Sequence, residues 1–487
     1  MLYVRGNAKD YDEWASLGAE GWSYQEVLPF FKKSQRIHDS PDVESEFHGT
    51  EGPMSVRKIP KFYYKSQELI ESSMLDVLGL PLGDYNGRNQ NVVYRGQYNQ
   101  KNGKRADSYS SFSAPYAGKN LNVLTHAMAT KVIMEGNEAK GIQIERFGQT
   151  LEYFAKNEVI VSAGAIGSPQ ILMLSGIGPW EHLQKIGVDT LILNRPGVGS
   201  NLQDHYIVPF EIFPESSDME RLGTGSFFSV NPLNYWTYFT NPNPFNGLLS
   251  DCFLSSGAFV HTPSNKDVYK RPNIQFMSAP FIPATLDFFG IYATTLGYSQ
   301  EIYELYYNYL GGDGAMLVPS NLRPKSRGTI RLKSKDPKDK PIIDPHYLED
   351  PEDLKELVEG LKIAEQIGRS KHFKEAKFYP KECPLCSQEN KPWTDEYFKC
   401  VVENKGMTVY HPAGTCKMGS NKDPNAVVDS KLKVIGAKKL RVIDASIMPR
   451  IVSGNTNAAC VLIGEKGADM IIKEYGTKSI KKGKDEL

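Results

Sequence analysis

The sequence has no excess of charge of either sign. Its 487 residues contain 57 Lys and Arg against 57 Asp and Glu, so the formal net charge is zero. Proteins that bind nucleic acids or anionic membranes through electrostatics usually carry a basic surplus. The balance therefore gives no support to a nucleic-acid partner or to an acidic membrane surface.

Long apolar runs are also missing. A bilayer-spanning helix needs about 20 predominantly apolar residues. The most apolar window, residues 159–178, is interrupted by Ser162, Ser168, Pro169, Gln170 and Ser175. We therefore expect no membrane span. The start, Met1 followed by LYVRGN, has neither the basic residues nor the apolar segment of a secretory signal peptide.

Cysteine is scarce, with six in the chain and four of them between positions 383 and 416. Cys383 and Cys386 form one Cys-x-x-Cys pair, but the second pair that is usual for structural zinc is missing. Disulfides formed in an oxidising compartment explain the cluster more simply. Cys416 and Cys460 lie in apolar stretches and are expected to be buried thiols. We predict no metal site.

What the sequence does contain is a large potential core. Apolar residues make up 40% of the chain, with 26 Tyr and 22 Phe, and the length predicts two closely joined domains. Residues 7–35 have a helical pattern, and residues 122–161 contain short β-like runs with Gly turns, typical of a meander. After Pro351 the apolar positions recur at helical spacing. The aromatic stretch 227–310 either packs in the core or lines a pocket.

Two stretches predict particular local structures. Residues 159–163 form a continuous apolar run followed by Gly164 and Gly167, which predicts a buried parallel strand, a tight turn and a helix. Residues 321–334, NLRPKSRGTIRLKS, predict a β-hairpin with its turn near Arg327 and Gly328. Together these patterns indicate a mixed α/β fold.

The chemistry is concentrated in residues 407–419, MTVYHPAGTCKMG, and in residues 440–472. His411 ends the first apolar run, where it is either a core histidine bonded to backbone or a general base. A neutral imidazole can accept a hydroxyl proton near neutral pH. Asn455 precedes the last long helix, where it is either an N-cap or a polar group beside the electropositive helix start.

These two stretches resemble the C-terminal signature of the glucose–methanol–choline (GMC) oxidoreductases, which are FAD enzymes that oxidise alcohols. The resemblance rests on His411-Pro-x-Gly-Thr-x-x-Met-Gly and on Asn455-Thr-Asn before an apolar helix. Residues 1–35, 162–179, 197–205 and 321–360 are also similar to stretches of this family. The sequence looks closest in character to the glucose dehydrogenase-like branch.

The resemblance implies a Rossmann-type FAD-binding domain and a substrate domain built on an antiparallel sheet flanked by helices. It places the FAD-binding domain at 1–205, most of the substrate domain at 206–400, and a return to the FAD-binding domain at 401–487. It implies hydride transfer from an alcohol or sugar to flavin N5, with a quinone-type acceptor or oxygen taking the electrons. His411 resembles the catalytic base and Asn455 its partner. Cofactor-contacting positions of the family match Met1, Leu2, Ala129, Asp444, Ala445, Thr456 and Asn457.

The chain departs from the family in one respect. The Gly-x-Gly-x-x-Gly turn that holds a dinucleotide pyrophosphate does not occur. We therefore expect that the first βαβ unit is missing, and that residues 1–487 alone bind FAD poorly. A flavin-loaded short form would contradict this expectation.

Two functions remain open from the sequence. The first is a FAD-dependent alcohol or sugar dehydrogenase, and the second is a catalytically incompetent product that binds a small molecule. The C-terminal Lys-Asp-Glu-Leu, residues 484–487, matches a retention signal of the endoplasmic reticulum, although a Lys-rich tail can end this way by chance. It predicts a luminal or secreted protein if a signal peptide lies upstream.

Overall fold

The computed structural model describes residues 1–38, 43–58, 65–188, 190–214, 236, 240, 254–281 and 314–482. Most of the aromatic stretch 227–310, which was expected either to pack in the core or to line a pocket, lies outside these residues, as does the C-terminal tetrapeptide. The described chain mixes helices with parallel and antiparallel strands, which confirms the predicted fold class.

The α-helices, numbered here in chain order, are α1 Ala8–Ser16, α2 Tyr24–Ser34, α3 Lys65–Leu78, α4 Gly164–Leu174, α5 Trp180–Lys185, α6 Pro351–Gly368, α7 Lys371–Glu375, α8 Pro384–Ser387, α9 Asp395–Lys405 and α10 Asn457–Lys482. The strands are β1 Gln35–Ile37, β2 Met54–Lys58, β3 Val93–Arg95, β4 Gln97–Lys101, β5 Lys104–Arg105, β6 Ala127–Glu135, β7 Glu138–Arg146, β8 Gln149–Phe154, β9 Val159–Val161, β10 Ile177–Gly178, β11 Leu193–Asn194, β12 Tyr206–Ile207, β13 Phe210–Pro214, β14 Ser256–Val260, β15 Ile274–Phe281, β16 Gly314–Asn321, β17 Thr329–Arg331, β18 Ile342–Asp344, β19 Phe378–Pro380, β20 Met407–Thr408 and β21 Leu440–Val442.

The first two helices begin where the sequence provides caps. The Asn7 side chain accepts a hydrogen bond from the Lys9 amide, and the Asp10 carboxylate accepts one from the Asn7 amide. The two bonds form a capping box at the start of α1. Glu26 receives bonds from Ser23 at the start of α2. These helices confirm the helical prediction for residues 7–35.

A parallel strand pair forms the centre of one half of the molecule. β9 pairs with β21 in parallel, and α4 follows β9 directly, as the apolar run and its glycines predicted. Gly164 has φ +78°, a left-handed conformation that glycine adopts at no steric cost. β6, β7 and β8 form the predicted antiparallel meander. The largest apolar cluster joins α1, α2, α4, α10 and this parallel pair.

An eight-stranded antiparallel sheet forms the other half. Its main path runs β19-β13-β16-β15-β14-β3, and β12 joins β16 to β20. The sheet therefore takes β3 from early in the chain and β20 from beyond residue 400. Helices α3, α6 and α9 pack against it in a second apolar cluster. The helix predicted after Pro351 is α6, capped by Asp350.

The predicted hairpin at residues 321–334 is wrong. β17 pairs with β18 at residues 342–344, whereas Asn321 pairs with Ile274 of β15. At the position of the predicted turn, the Arg327 guanidinium instead donates hydrogen bonds to the Pro324 and Ser326 carbonyls. Gly328 forms an antiparallel bridge to Leu202 instead.

Among the described cysteines, one disulfide joins Cys386 and Cys400 and links α8 to α9. It confirms the prediction of disulfide pairing in the cysteine cluster. Cys383, Cys416 and Cys460 are free thiols, the first two of them buried. Among the helices of the described ranges, none combines the length and apolar character that crossing a bilayer requires.

Candidate active site

The loop at residues 197–205 fixes the segment that carries His411. Gln203 and Ala413 exchange backbone hydrogen bonds of 3.0 and 2.9 Å, and the Asn201 side chain donates to the Gly414 carbonyl. The buried Asp204 carboxylate accepts from the His411 amide at 2.8 Å. The position of His411 is therefore determined by two chain segments more than 200 residues apart.

Asp204 also receives the Tyr347 and Thr408 hydroxyls, each at 2.5 Å. Burial raises the pKa of this carboxyl group, and the hydrogen bonds from these hydroxyls and from the His411 amide oppose that rise. A buried carboxylate is stable only when such donors replace its water. Asp204 therefore orients the backbone at His411 and does not handle its ring proton.

The His411 ring lies between His205 and Asn455. Its Nδ1 is 3.0 Å from His205 Nδ1, and the two rings meet edge to face at 87°. Its Nε2 is 3.3 Å from Asn455 Nδ2. The structure therefore brings together the two residues that the sequence assigned to proton handling, although 44 positions separate them in the chain.

His411 is neutral at ordinary pH. Burial lowers its pKa well below the usual histidine value, and the neighbouring His205 and the chain's amino terminus lower it further. Burial likewise lowers the pKa of His205 to about 4. Two adjacent imidazoles in a site of low polarity cannot both carry charge. His411 is thus available as a proton acceptor.

The simpler interpretation of Asn455, as the N-cap of the last helix, is wrong, because α10 begins only at Asn457. Its carboxamide instead contacts the side chains of Gln275 and His411. Oδ1 accepts from Gln275 Nε2 at 3.2 Å, while Nδ2 faces His411. Gln275 comes from β15, so the antiparallel sheet orients the amide beside the start of α10.

The remaining predicted residues fall into four places. Asp444 accepts from the Gly164 amide at 2.9 Å and from the Ser168 hydroxyl at 2.5 Å, and the carbonyl of Ala445 accepts from Gly414. Met1 and Leu2 lie against β4, and Thr456 and Asn457 lead into α10. Ala129 lies in strand β6 of the β6–β8 meander, whereas His411 and Asn455 lie outside the strands.

Comparison with known proteins identifies the family. Sequence profiles of the GMC oxidoreductases match residues 1–207 and 324–464. The chain belongs to the GMC oxidoreductase family. It is 35% identical over 483 residues to "Glucose dehydrogenase [FAD, quinone]" of Drosophila pseudoobscura pseudoobscura, covering 98% of this chain and 73% of that protein. It is also 35% identical to "Alcohol dehydrogenase [acceptor]" of Pseudomonas putida over 99% of this chain and 81% of that protein.

Solved structures agree with this GMC assignment. A formate oxidase of Aspergillus oryzae superimposes with a TM-score of 0.81 at 25% identity, covering 98% of this chain and 82% of that one. Pyridoxine 4-oxidase superimposes with a TM-score of 0.74 at 25% identity, covering 96% and 81%. FAD is the cofactor of this GMC protein.

The residues beside the His411–Asn455 pair fit the flavin end of FAD. A cleft of about 500 Å³ opens at the first turns of α10, and its lining includes Phe112, Asn457 and Gly464. Asn457 donates to Asn99 Oδ1 at 2.7 Å, while Asn99 Nδ2 is buried and has no hydrogen-bond partner among the described residues. A free buried donor next to an electropositive helix start suits a ring that carries carbonyl oxygens.

Sequence reasoning missed four residues of this site: Tyr94, Asp204, His205 and Gln275. Residues 203–205, Gln-Asp-His, are three consecutive polar residues directly before an apolar strand, and this was the available signal. Tyr94 and Gln275 lie in strands with no polar motif around them. Only the strand order β15-β14-β3 brings Gln275 to Asn455 and the Tyr94 hydroxyl to Gln275.

Proposed function

We propose that this chain oxidises the CH–OH group of an alcohol or sugar, with His411 as the base that accepts the hydroxyl proton. The observation that carries the proposal is the 3.3 Å approach of His411 Nε2 to Asn455 Nδ2. A substrate hydroxyl between these atoms meets one acceptor and one donor. The names of the two relatives, a glucose dehydrogenase and an alcohol dehydrogenase, support this class of substrate.

The lowered pKa of His411 suits this role. The ring is unprotonated before substrate binds, so the hydroxyl proton can move to Nε2 as the C–H bond breaks. The Asn455 amide group then donates to the oxygen, where negative charge develops. Because Gln275 orients that amide beforehand, no reorganisation is required at the moment of reaction.

When bound, FAD supplies the two-electron acceptor for the hydride that leaves carbon as the carbonyl forms. Asn457, Asn99 and the start of α10 would hold its flavin end. The alcohol thus loses one hydride and one proton: it becomes the carbonyl product, and the proton stays on His411. The name of the Drosophila relative includes a quinone and that of the Pseudomonas relative an acceptor, so we propose a quinone-type acceptor or oxygen for the second half-reaction.

The test is dye-linked turnover of flavin-loaded protein with a panel of primary alcohols, secondary alcohols and aldoses. His411→Ala should lower kcat by about 100-fold or more while flavin absorbance is retained. Asn455→Ala should lower kcat by about 100-fold, the scale expected for loss of one charge-stabilising donor. His346→Ala, at an exposed site, is the control. Unchanged turnover in His411→Ala would refute its role as base.

A non-catalytic binding protein is the alternative outcome of the same experiment. It would show no turnover of any alcohol in the wild-type protein, together with saturable binding of one of them. The paired His411 and Asn455 favour the enzyme, because simple binding requires neither a base nor a donor at that spacing.

A further inference from the structure

His411 and Asn455 belong to a longer chain of side-chain hydrogen bonds that ends on a backbone carbonyl at each side. At one end His205 Nε2 lies 3.1 Å from the Leu322 carbonyl. At the other end the Tyr94 hydroxyl lies 3.2 Å from the Phe276 carbonyl. A carbonyl oxygen can only accept a hydrogen bond. The direction of every bond between these ends can therefore be worked out.

From the first end, His205 Nε2 must carry the proton that it donates to Leu322. The ring is neutral at ordinary pH, so its Nδ1 has a lone pair and accepts. The Val452 carbonyl also lies near this ring and keeps a second lone pair beside the one that the Gly454 amide occupies, so the assignment rests on Nε2 facing Leu322 at 3.1 Å and Nδ1 facing His411 at 3.0 Å. His411 Nδ1, at 3.0 Å from His205 Nδ1, must then be the donor. Neutral His411 consequently has its lone pair on Nε2.

From the second end, the Tyr94 hydroxyl donates to Phe276, so its oxygen accepts from Gln275 Nε2 at 3.0 Å. Burial raises the pKa of Tyr94, and the hydroxyl therefore keeps its proton. The Gln275 amide also donates to Asn455 Oδ1. This leaves Asn455 Nδ2 as the group that faces His411, and an amide nitrogen can only donate.

The two derivations agree at the bond between Asn455 and His411. We infer that His205 is a positioning residue that sets the proton of His411 on Nδ1 and thereby leaves Nε2 free to accept the substrate's hydroxyl proton. Tyr94 and Gln275 enforce the same direction from the opposite side. The inference deepens the proposed function and rests on it for its catalytic meaning, whereas the tautomer itself is a property of the protein without substrate.

The relative bond lengths indicate that His205 is the stronger determinant. The His205–His411 bond is 3.0 Å, whereas the Asn455–His411 bond is 3.3 Å and is the longest in the chain. His205 is also buried, so water does not replace it as an acceptor. A buried N–H without an acceptor is unfavourable, which disfavours the Nδ1–H form once His205 is removed.

The first test measures the tautomer directly. Nitrogen-15 NMR of protein labelled at histidine distinguishes protonated from unprotonated ring nitrogens, and comparison with His411→Gln identifies the signals of His411. We expect a protonated Nδ1 and an unprotonated Nε2 in the wild-type protein at neutral pH. A protonated Nε2 would overturn the inference whether or not the protein oxidises alcohols.

The second test exchanges His205. His205→Phe keeps a ring but removes the acceptor, whereas His205→Asn keeps an oxygen close to the ring position of Nδ1. We expect His205→Phe to shift His411 toward the Nε2-protonated form and to lower kcat by about 100-fold with KM and flavin binding little changed. His205→Asn should retain the wild-type tautomer and stay within about 10-fold of wild-type kcat.

Controls separate positioning from general damage. His346→Asn changes an exposed histidine and should leave the tautomer and kcat at wild-type values. Tyr94→Phe releases the opposite end and should shift the tautomer in the same direction as His205→Phe, but less. If His205→Phe folds with the wild-type tautomer and kcat, the inference fails. If it does not fold, His205→Asn with altered tautomer and kcat would contradict the inference equally.

If the tautomer is as expected and no alcohol is oxidised by the flavin-loaded protein, the proposed function fails while the structural assignment stands. The two conclusions are therefore distinguishable.

Discussion

At the scale of single residues, the site depends on buried polar groups whose partners come from distant segments. Asp204 is the clearest case, since it accepts from the His411 amide and from the hydroxyls of Tyr347 and Thr408. Removing such an acceptor leaves several donors unsatisfied at once, and each buried unsatisfied group costs about 1–3 kcal/mol.

Asp204→Ala should therefore lower the free energy of unfolding by about 3 kcal/mol or more and also lower kcat, because the His411 backbone loses its anchor. Thr408→Val removes only one donor and should cost about 1 kcal/mol. Urea unfolding of both variants measures the difference. Equal stabilities would show that the carboxylate does not fix this loop.

His205 makes stability depend on pH. Its folded pKa is about 4, whereas an unfolded imidazole titrates near its ordinary value of 6.5. Between these values the unfolded chain binds the proton and the folded chain does not, so acidification favours unfolding. Stability is fully present above about pH 6.5 and falls toward pH 4, by about 3 kcal/mol from this group.

Urea unfolding of the wild-type protein and of His205→Asn at pH 7.5, 6.0 and 5.0 measures this contribution. The variant lacks the titrating ring, so the stability difference between the two proteins should change with pH in this window. Parallel pH dependences would exclude His205 as the source.

At the scale of elements, local patterns predicted the structures whose partners are close in sequence. The meander β6–β8, the strand β9 with α4, and α6 after Pro351 follow from Gly turns, apolar runs and helical spacing. The hairpin prediction for residues 321–334 was wrong because β17 pairs with β18, at residues 342–344, which lies outside the predicted segment. A strand's partner is fixed by tertiary packing, which a local pattern does not contain.

The same limit applies to the site. His411 and Asn455 could be named because each stands in a recognisable motif, whereas the contributions of Tyr94 and Gln275 depend on the order of strands in the sheet. Asn455 was placed at a helix start, but the helix begins two residues later. Motifs therefore indicated the His411–Asn455 pair, and only the fold revealed what orients it.

The disulfide between α8 and α9 offers a test at this scale. It closes a loop with a sequence separation of 14. In the chain-entropy account, a loop of about 15 residues contributes about 3 kcal/mol. The double variant Cys386→Ser with Cys400→Ser should therefore lower Tm by several degrees. Cys383→Ser, beside the disulfide, is the matched control and should change Tm much less.

At the scale of the whole molecule, buried ion pairs connect the two halves. Arg271 lies in the connection between β14 and β15 and is almost fully buried. It binds Asp267 in the same connection, and it reaches Asp10 and Glu13 of α1 at 3.1 and 2.7 Å. Since α1 packs in the cluster around β9 and β21, one guanidinium joins the antiparallel sheet to the other half.

Arg271→Met should lower the free energy of unfolding by about 3–5 kcal/mol, because the buried Asp10 carboxylate loses its guanidinium partner and the partly buried Asp267 is left with the more distant Arg323, at 3.9 Å. Calorimetry should show the single transition broadening or separating into two as the halves uncouple. Arg369→Met, which removes a more exposed pair with Glu365, is the control. A single sharp transition with unchanged Tm would contradict this role.

The cellular compartment is a proposal at the same scale. The disulfide supports folding in an oxidising compartment, and the terminal Lys-Asp-Glu-Leu supports retention in the endoplasmic reticulum. Fractionation of cells that express the chain behind a signal peptide, with and without the last four residues, tests it. Secretion of both forms in equal amounts would refute retention.

The hydrogen-bond chain through His411 ends on the carbonyls of Leu322 and Phe276. Every amino acid has a backbone carbonyl, so exchanging either side chain does not delete these end points. Both side chains are fully buried, so apolar substitutions of similar volume at positions 276 and 322 should leave the direction of the hydrogen bonds at His411 unchanged. A library of apolar substitutions there should contain many active enzymes, whereas one at position 205 should contain few.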